Sequence, residues 1–200
     1  MRSTYANRGQ TLEAFVRFAN ARYRQEGLAF IEKQNTEFIP IRNGRGQIIT
    51  AKAEHQATFD FMGRYLSHPI AVEAKNTNQD TIRWDAVQPH QARDLDDFTK
   101  EPGTIGLVLV SFNLENFFAI PWAFWSEAYD LRVRRGDVKT AARVSAFNEA
   151  WTIPQKKSAR MEDLSPLWRV SARDNRYGLH YLANAAKYIT KNPQNKENDV

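Results

Sequence analysis

Cysteine is absent from the 200 residues, which removes disulfides, zinc–thiolate sites and a thiol nucleophile together. No apolar run approaches the roughly 18 residues that a membrane-spanning helix needs. The opening Met1-Arg2-Ser3-Thr4 has no apolar h-region of a secretory signal. Acidic charge is the scarcer sign. Lys and Arg number 28 against 23 Asp and Glu, a formal net charge of +5. That excess favours a polyanionic partner without naming one. Hydrophobic residues make up 42% and charged residues 26%, which is ordinary globular composition and excludes the disordered, collagenous and membrane classes. A chain of 23.1 kDa can bury one sizeable core. The expectation is a cytoplasmic, one-domain protein over residues 1–190, ending in a disordered polar tail at 191–200.

Apolar spacing places the elements. Leu12, Phe15, Val16, Ala19 and Tyr23 fall on one stripe, predicting a helix from Thr11 to Arg24 with Thr11 as its cap. Leu28 to Ile31 reads as a short strand. Two β-like arms around Phe38–Ile41 and Gln47–Ile49 flank the turn residues Arg42-Asn43-Gly44-Arg45-Gly46. Thr58–Leu66 and Pro69–Lys75 read as successive strands, and most of Asp85–Lys100 as a helix with Pro89 near its first turn. Ile105–Val110 is apolar throughout, as a strand buried on both faces should be. Phe117–Ile120 is another strand, while Ala141–Trp151 and Leu179–Tyr188 read as helices. This order suggests an α/β sandwich around a mixed sheet.

Asp60, Glu73 and Lys75 carry the chemistry. Period-two alternation in Pro69–Lys75 sets Ile70, Val72 and Ala74 on one face, and Glu73 and Lys75 on the other. With Asp60 on the preceding strand, a hairpin would bring two carboxylates and a lysine together. Such a site suits a hard cation, Mg²⁺ or Mn²⁺, that bridges to phosphate oxygens. An acid-x-Lys pattern alone is weak, since Asp137-Val138-Lys139 is a second one. Gln91 lies on the apolar stripe of its helix and Glu13 beside that of the first. Gln91 would serve equally as a core cap, and Glu13 as a complement to the helix dipole.

Taken in order, these pieces resemble the RecU family of Holliday junction resolvases, within the PD-(D/E)xK nuclease superfamily. The resemblance runs on Asn7-Arg8-Gly9-Gln10-Thr11-Leu12-Glu13, on Asp60 with Glu73-Ala74-Lys75, on a Gly63-Arg64-Tyr65 turn, on His90-Gln91, and on Gly103–Val110. Phe59 stands where the family carries a hydroxyl, with Thr58 before it, and Arg42–Gln47 replaces a longer lysine-rich hairpin tip. The compactness fits a phage or mobile-element relative. The resemblance implies a restriction-endonuclease-like mixed sheet flanked by helices, with a projecting hairpin stalk at about residues 37–56. It implies Asp60 and Glu73 as metal ligands, Lys75 assisting the water, Glu13 and Gln91 supporting the site, and Thr58 behind it. Arg8, Lys33, Arg42, Arg45 and Arg64 are the DNA contacts it suggests. The implied activity is resolution of four-way DNA junctions by paired nicks, from a homodimer, beside a recombinase partner. Two other readings share the pattern: a nuclease of the same superfamily on other DNA, and a non-catalytic DNA-binding modulator of recombination. Phe117, Phe118, Trp122, Phe124 and Trp125 offer either a dimer surface or core.

Overall fold

The computed structural model describes residues 5–190 apart from 36, 56, 173 and 175; the tail expected at 191–200 lies outside them. Helix α1 (Tyr5–Gln25) leads into strand β1 (Ala29–Lys33) and a hairpin of β2 (Glu37–Arg42) and β3 (Ile48–His55). Strands β4 (Phe61–Tyr65), β5 (His68–Thr77) and β6 (Thr81–Arg83) follow, then α2 (Pro89–Thr99), β7 (Ile105–Phe112), β8 (Asn116–Pro121) and α3 (Trp122–Tyr129). The last third holds β9 (Ala142–Ala146), β10 (Glu149–Ile153), β11 (Ser158–Arg160) and β12 (Arg169–Val170).

A six-stranded sheet in the order β1-β4-β5-β7-β8-β12 forms the centre. β5 and β7 run parallel, and the other pairs are antiparallel. Every residue of β7 is buried, as its unbroken apolar run requires of a central strand covered on both sides. A parallel pair needs a crossover, and here α2 is carried in it. α1 packs on β1 and β5, α2 on β5 and β7, and α3 on β7 and β8. The result is the mixed α/β, restriction-endonuclease-like arrangement. β2 and β3 pair only with each other, outside the central sheet, and their residues 39–51 are exposed except for Asn43. No described helix is long and apolar enough to cross a membrane.

Several sequence expectations give way. Thr11 does not cap α1, which already runs from Tyr5. Phe15 is 41% exposed at the margin of the buried Leu12–Val16–Ala19–Tyr23 stripe, its ring meeting the Phe117 ring edge-on. The stretch Asp85–Lys100 is broken: a 3₁₀ turn spans Trp84–Ala86, and α2 starts afresh at Pro89. Proline pushes the residue before it out of helical geometry, and Gln88 is extended at φ −72°, ψ 156°.

Ala141–Trp151 is a hairpin, β9 with β10, rather than a helix. Phe147 and Asn148 turn it with φ of 52° and 61°, the double left-handed geometry of a tight hairpin turn. Its alternation then buries Trp151 and Ile153. Leu179–Tyr188 forms turns and a single 3₁₀ stretch, Ala185–Tyr188. Side chains hold it instead: the Tyr181 hydroxyl donates to Asn20 Oδ1 of α1 at 2.5 Å. α3 had no counterpart in the sequence reading, being apolar on nearly every side. Phe117, Phe118, Trp122, Phe124 and Trp125 are all core, which removes them as a dimer surface.

Gly63-Arg64-Tyr65 is not a turn but the second half of β4. Gly63 pairs with Ile31, and a Cβ there would fall 1.9 Å from the Phe30 carbonyl oxygen. Only glycine permits that approach. Gly63→Ala should therefore lower stability by about 3 kcal/mol or more. Gly9→Ala, on a helix with open space around the new methyl, should gain up to about 1 kcal/mol. Denaturant melts of both variants check the pair, and a Gly63→Ala protein as stable as wild type would refute the close approach.

Candidate active site

The antiparallel β4–β5 pair sets Phe61 opposite Val72, so Asp60, one residue ahead of β4, comes to the level of Glu73 and Ala74. Asp60 is thus at a strand entrance and not within the strand. Two backbone bonds hold it: its carbonyl accepts from Gln34 N, and its Oδ2 accepts from Ala74 N at 2.8 Å. Phe59 is buried against the Phe98 ring, while Thr58 is exposed and does not reach in behind Asp60.

Glu73 is the centre of the arrangement, with no exposed surface. Lys75, two residues on and on the same face of β5, places Nζ 2.7 Å from Glu73 Oε1. The same Nζ donates to Gln91 Oε1 at 3.0 Å, and Gln91 Nε2 donates to Glu73 Oε1 at 2.5 Å. Gln91 sits in the first turn of α2, where its Oε1 also accepts from Gln88 N at 2.9 Å. The helix start therefore fixes the glutamine that fixes the lysine and the carboxylate. Glu73 Oε2, by contrast, is buried and has no hydrogen-bond partner. Burial is the main cause that raises the Glu73 carboxyl to about 7; Asp60 adds to the rise and Lys75 opposes it.

A buried carboxylate oxygen without a donor is costly unless a ligand completes it. Asp60 and Glu73 together fit a hard divalent ion that prefers carboxylate oxygens. Among the described residues no three His, Cys, Asp or Glu side chains cluster as a metal cage. Such an ion would keep water and take further oxygens from a substrate.

Of the other expected residues that are described, only Glu13 and Lys33 lie next to Asp60. Glu13 is joined to Lys33, with Oε2 2.6 Å from Nζ, so the supporting acid and the suggested DNA contact engage each other. The pair lies beside Asp60, since Lys33 is opposite Phe61 and its ammonium lies over that ring. Arg64 stands at the far end of β4, about 13 Å along the strand from Asp60, and donates to its own turn at Leu66 O. Arg42 donates to Gly46 O, and both Arg42 and Arg45 are exposed at the hairpin tip. The Arg8 side chain lies outside the described set. What the sequence did not reveal is the Ala74 amide that holds Asp60, and the burial that leaves Glu73 half-satisfied.

The fold is restriction-endonuclease-like, and Asp60, Glu73 and Lys75 stand together across its β4–β5 pair. The chain belongs to the RecU family: residues 7–167 match the family described as Recombination protein U. It is 30% identical over 123 residues to "Holliday junction resolvase RecU" of Streptococcus equi subsp. zooepidemicus (strain MGCS10565), covering 58% of this chain and 61% of that protein. The protein of the same name from Streptococcus sanguinis (strain SK36) is 26% identical over 133 residues, 64% of this chain and 66% of its own. That from Lactobacillus delbrueckii subsp. bulgaricus (strain ATCC BAA-365 / Lb-18) is 25% identical over 134 residues, 64% of each chain. The chain spans about three fifths of the length of the first of these relatives.

The raised Glu73 carboxyl has a thermodynamic consequence. Its ordinary value of 4.5 applies to the unfolded chain and about 7 to the folded one, so the folded state holds this proton more tightly. The contribution is complete below about 4.5 and is lost as pH rises through 7. In ion-free buffer, wild-type thermal stability should fall between pH 5 and pH 8 by more than that of Glu73→Gln. Identical slopes for the two proteins would refute the assignment.

Proposed function

We propose that this protein is a metal-dependent endodeoxyribonuclease that resolves four-way DNA junctions by paired, symmetric nicks in recombination and repair. One observation carries the reading: a fully buried glutamate, bound at one oxygen by Lys75 and Gln91, has its other oxygen without a donor beside Asp60. Membership of a family whose curated relatives are named Holliday junction resolvases supports the choice of substrate. Residues 1–190 act as one nuclease domain in the cytoplasm, where recombination substrates and a recombinase partner are found.

In this mechanism Asp60 and Glu73 would hold Mg²⁺, or Mn²⁺ in its place, and such an ion would supply Lewis acidity and a more acidic water. Gln91 keeps Lys75 and Glu73 in register, so Lys75 has its ammonium fixed before DNA arrives. Lys75 orients the attacking water and offsets the negative charge that grows on the phosphoryl group. Burial of Glu73 keeps bulk water from competing for its free oxygen. The β2–β3 hairpin enters the junction opening, with Arg42 and Arg45 on phosphates. Arg8 and Arg64 are further phosphate contacts, while Glu13 and Lys33 act as a pair at the rim.

Asp60→Ala and Glu73→Ala should each abolish Mg²⁺-dependent cutting while leaving junction binding nearly intact. Lys75→Ala should slow cutting by about 10²–10³-fold. The assay compares a four-way junction, a fork, a nicked duplex and a linear duplex, with and without Mg²⁺. Near-wild-type cutting by Asp60→Ala would discard the site. Equal cleavage of all four substrates would discard junction selectivity, and binding without any cleavage would leave a recombination modulator.

A junction has two scissile positions related by two-fold symmetry, and this chain carries one acid–acid–lysine arrangement. A homodimer with an isologous interface supplies the second. In a mixed dimer of wild-type and Glu73→Ala subunits, one strand should be nicked and the other left whole. Efficient paired cutting by that mixed dimer, or by a protein of monomeric mass in light scattering, would defeat the dimer model.

A further inference from the structure

The last third of the chain builds a surface that the site above does not use. β11 pairs antiparallel with β6, setting Ser158 opposite Arg83, Ala159 opposite Ile82 and Arg160 opposite Thr81. Just before β11, the Lys156 carbonyl accepts from Trp84 Nε1 at 3.1 Å and the Lys157 carbonyl from Trp84 N at 3.3 Å. Trp84 is buried and meets the Trp151 ring edge-on. The backbone of this lysine pair is therefore nailed to the turn that precedes α2.

A second anchor lies immediately upstream. Arg132 is only 3% exposed, and its guanidinium is spent entirely on carbonyls: those of Asp137, Thr140, Ile153 and Pro154. A buried guanidinium shared among four carbonyls makes the β9–β10 excursion rigid up to Pro154. The side chains that this scaffold presents face Glu162 on the Lys156 side and Asp85 on the Lys157 side without pairing with them. Lys156 and Lys157 are exposed, and among the described residues neither is in an ion pair. Arg83 and Arg160 flank them, each held by an exposed carboxylate, Asp85 and Glu162.

Both ends of this strip join elements of the active site. Thr81, opposite Arg160, accepts through its carbonyl from Thr77 Oγ1, two residues beyond Lys75 on β5. Trp84 leads within a few residues into the α2 turn that carries Gln91. Counted along the path through Thr77 and Thr81, the Arg160 end of the strip lies within about 20 Å of Lys75. That is less than one turn of duplex DNA, about 34 Å.

We propose that Lys156 and Lys157, flanked by Arg83 and Arg160, form a phosphate-binding strip for the duplex arm that leads away from the reacting phosphate. The proposal rests on the nuclease reading and adds to it a contact separate from the hairpin. The rigid mounting sets the arm's angle at the site, and the exposed ammonium groups supply affinity without sequence preference. Their position, tied to β5 on one side and α2 on the other, favours DNA already engaged at Lys75 over a separate acidic protein.

Lys156→Ala/Lys157→Ala is the test, with Lys139→Ala/Arg143→Ala as an exposed control of equal charge loss. Fluorescence anisotropy on a four-way junction and on linear duplex, without metal, reads affinity between 50 and 200 mM salt. Two lost phosphate contacts should make the log–log salt slope shallower by about 1.8 on both DNAs. Affinity should fall severalfold on both DNAs. The control pair should leave the slope at the wild-type value. An unchanged slope in the Lys156/Lys157 variant, or an equal change in the control, would overturn the strip. Because binding is read without metal, a failed strip leaves the cleavage reading untouched. A wild-type protein that shows the lysine-dependent slope yet cuts no DNA would sink the nuclease reading alone.

Discussion

Everything at the candidate site depends on burying a carboxylate that is only half satisfied. Glu73 gives one oxygen to Lys75 and Gln91 and keeps the other without a donor in the interior. A fold selected for stability alone would have a smaller cost by placing an apolar residue there. The penalty is visible in the raised carboxyl and in the two donors, Lys75 and Gln91, gathered on its other oxygen. A cation brought by solvent or substrate removes that penalty, so the protein's strain and its proposed chemistry share one atom.

The sheet topology makes this possible. Pairing β5 in parallel with β7 forces a crossover, and the crossover brings the first turn of α2 over the end of β5. Pro89 starts the helix at the position that aims Gln91 inward two residues later. On the other side, the antiparallel β4–β5 pair delivers Asp60 from a strand entrance, where its side chain can reach the Ala74 amide. Gly63 is the hidden condition, because β1 lies too close to β4 for any side chain there. Backbone pairing thus sets which side chains can meet at the site.

Around this core the chain distributes positive charge on separate supports. The hairpin tip is closed by Asn43, whose Oδ1 accepts from the amides of Arg45 and Gln47. The strip at Lys156 and Lys157 is mounted on tryptophans and on Arg132. The exposed apolar residues of the hairpin, Ile39, Ile41, Ile48 and Ile49, have no counterpart on the strip. The two supports therefore expose different chemistry.

Local pattern determined much of this protein. The alternation around Glu73 and Lys75, the apolar run of β7, the hairpin turn at Arg42–Gly46 and the amphipathic stripe of α1 were legible because each is set by neighbours in the chain. Gln91 was legible as a polar residue on an apolar stripe. The helices expected at Ala141–Trp151 and Leu179–Tyr188 failed because their residues suit either geometry, and long-range contacts chose: tryptophan burial for the first, tyrosine bonds to α1 for the second. α3 escaped notice because a helix buried on most sides has no polar face to mark it. Glu13 and Lys33 each read as separate functional residues, and only folding set them 2.6 Å apart. Sequence could name the acids and the lysine. Tertiary structure alone decided which carboxylate oxygen would be left without a donor, because that depends on which groups meet across β5, β4 and α2.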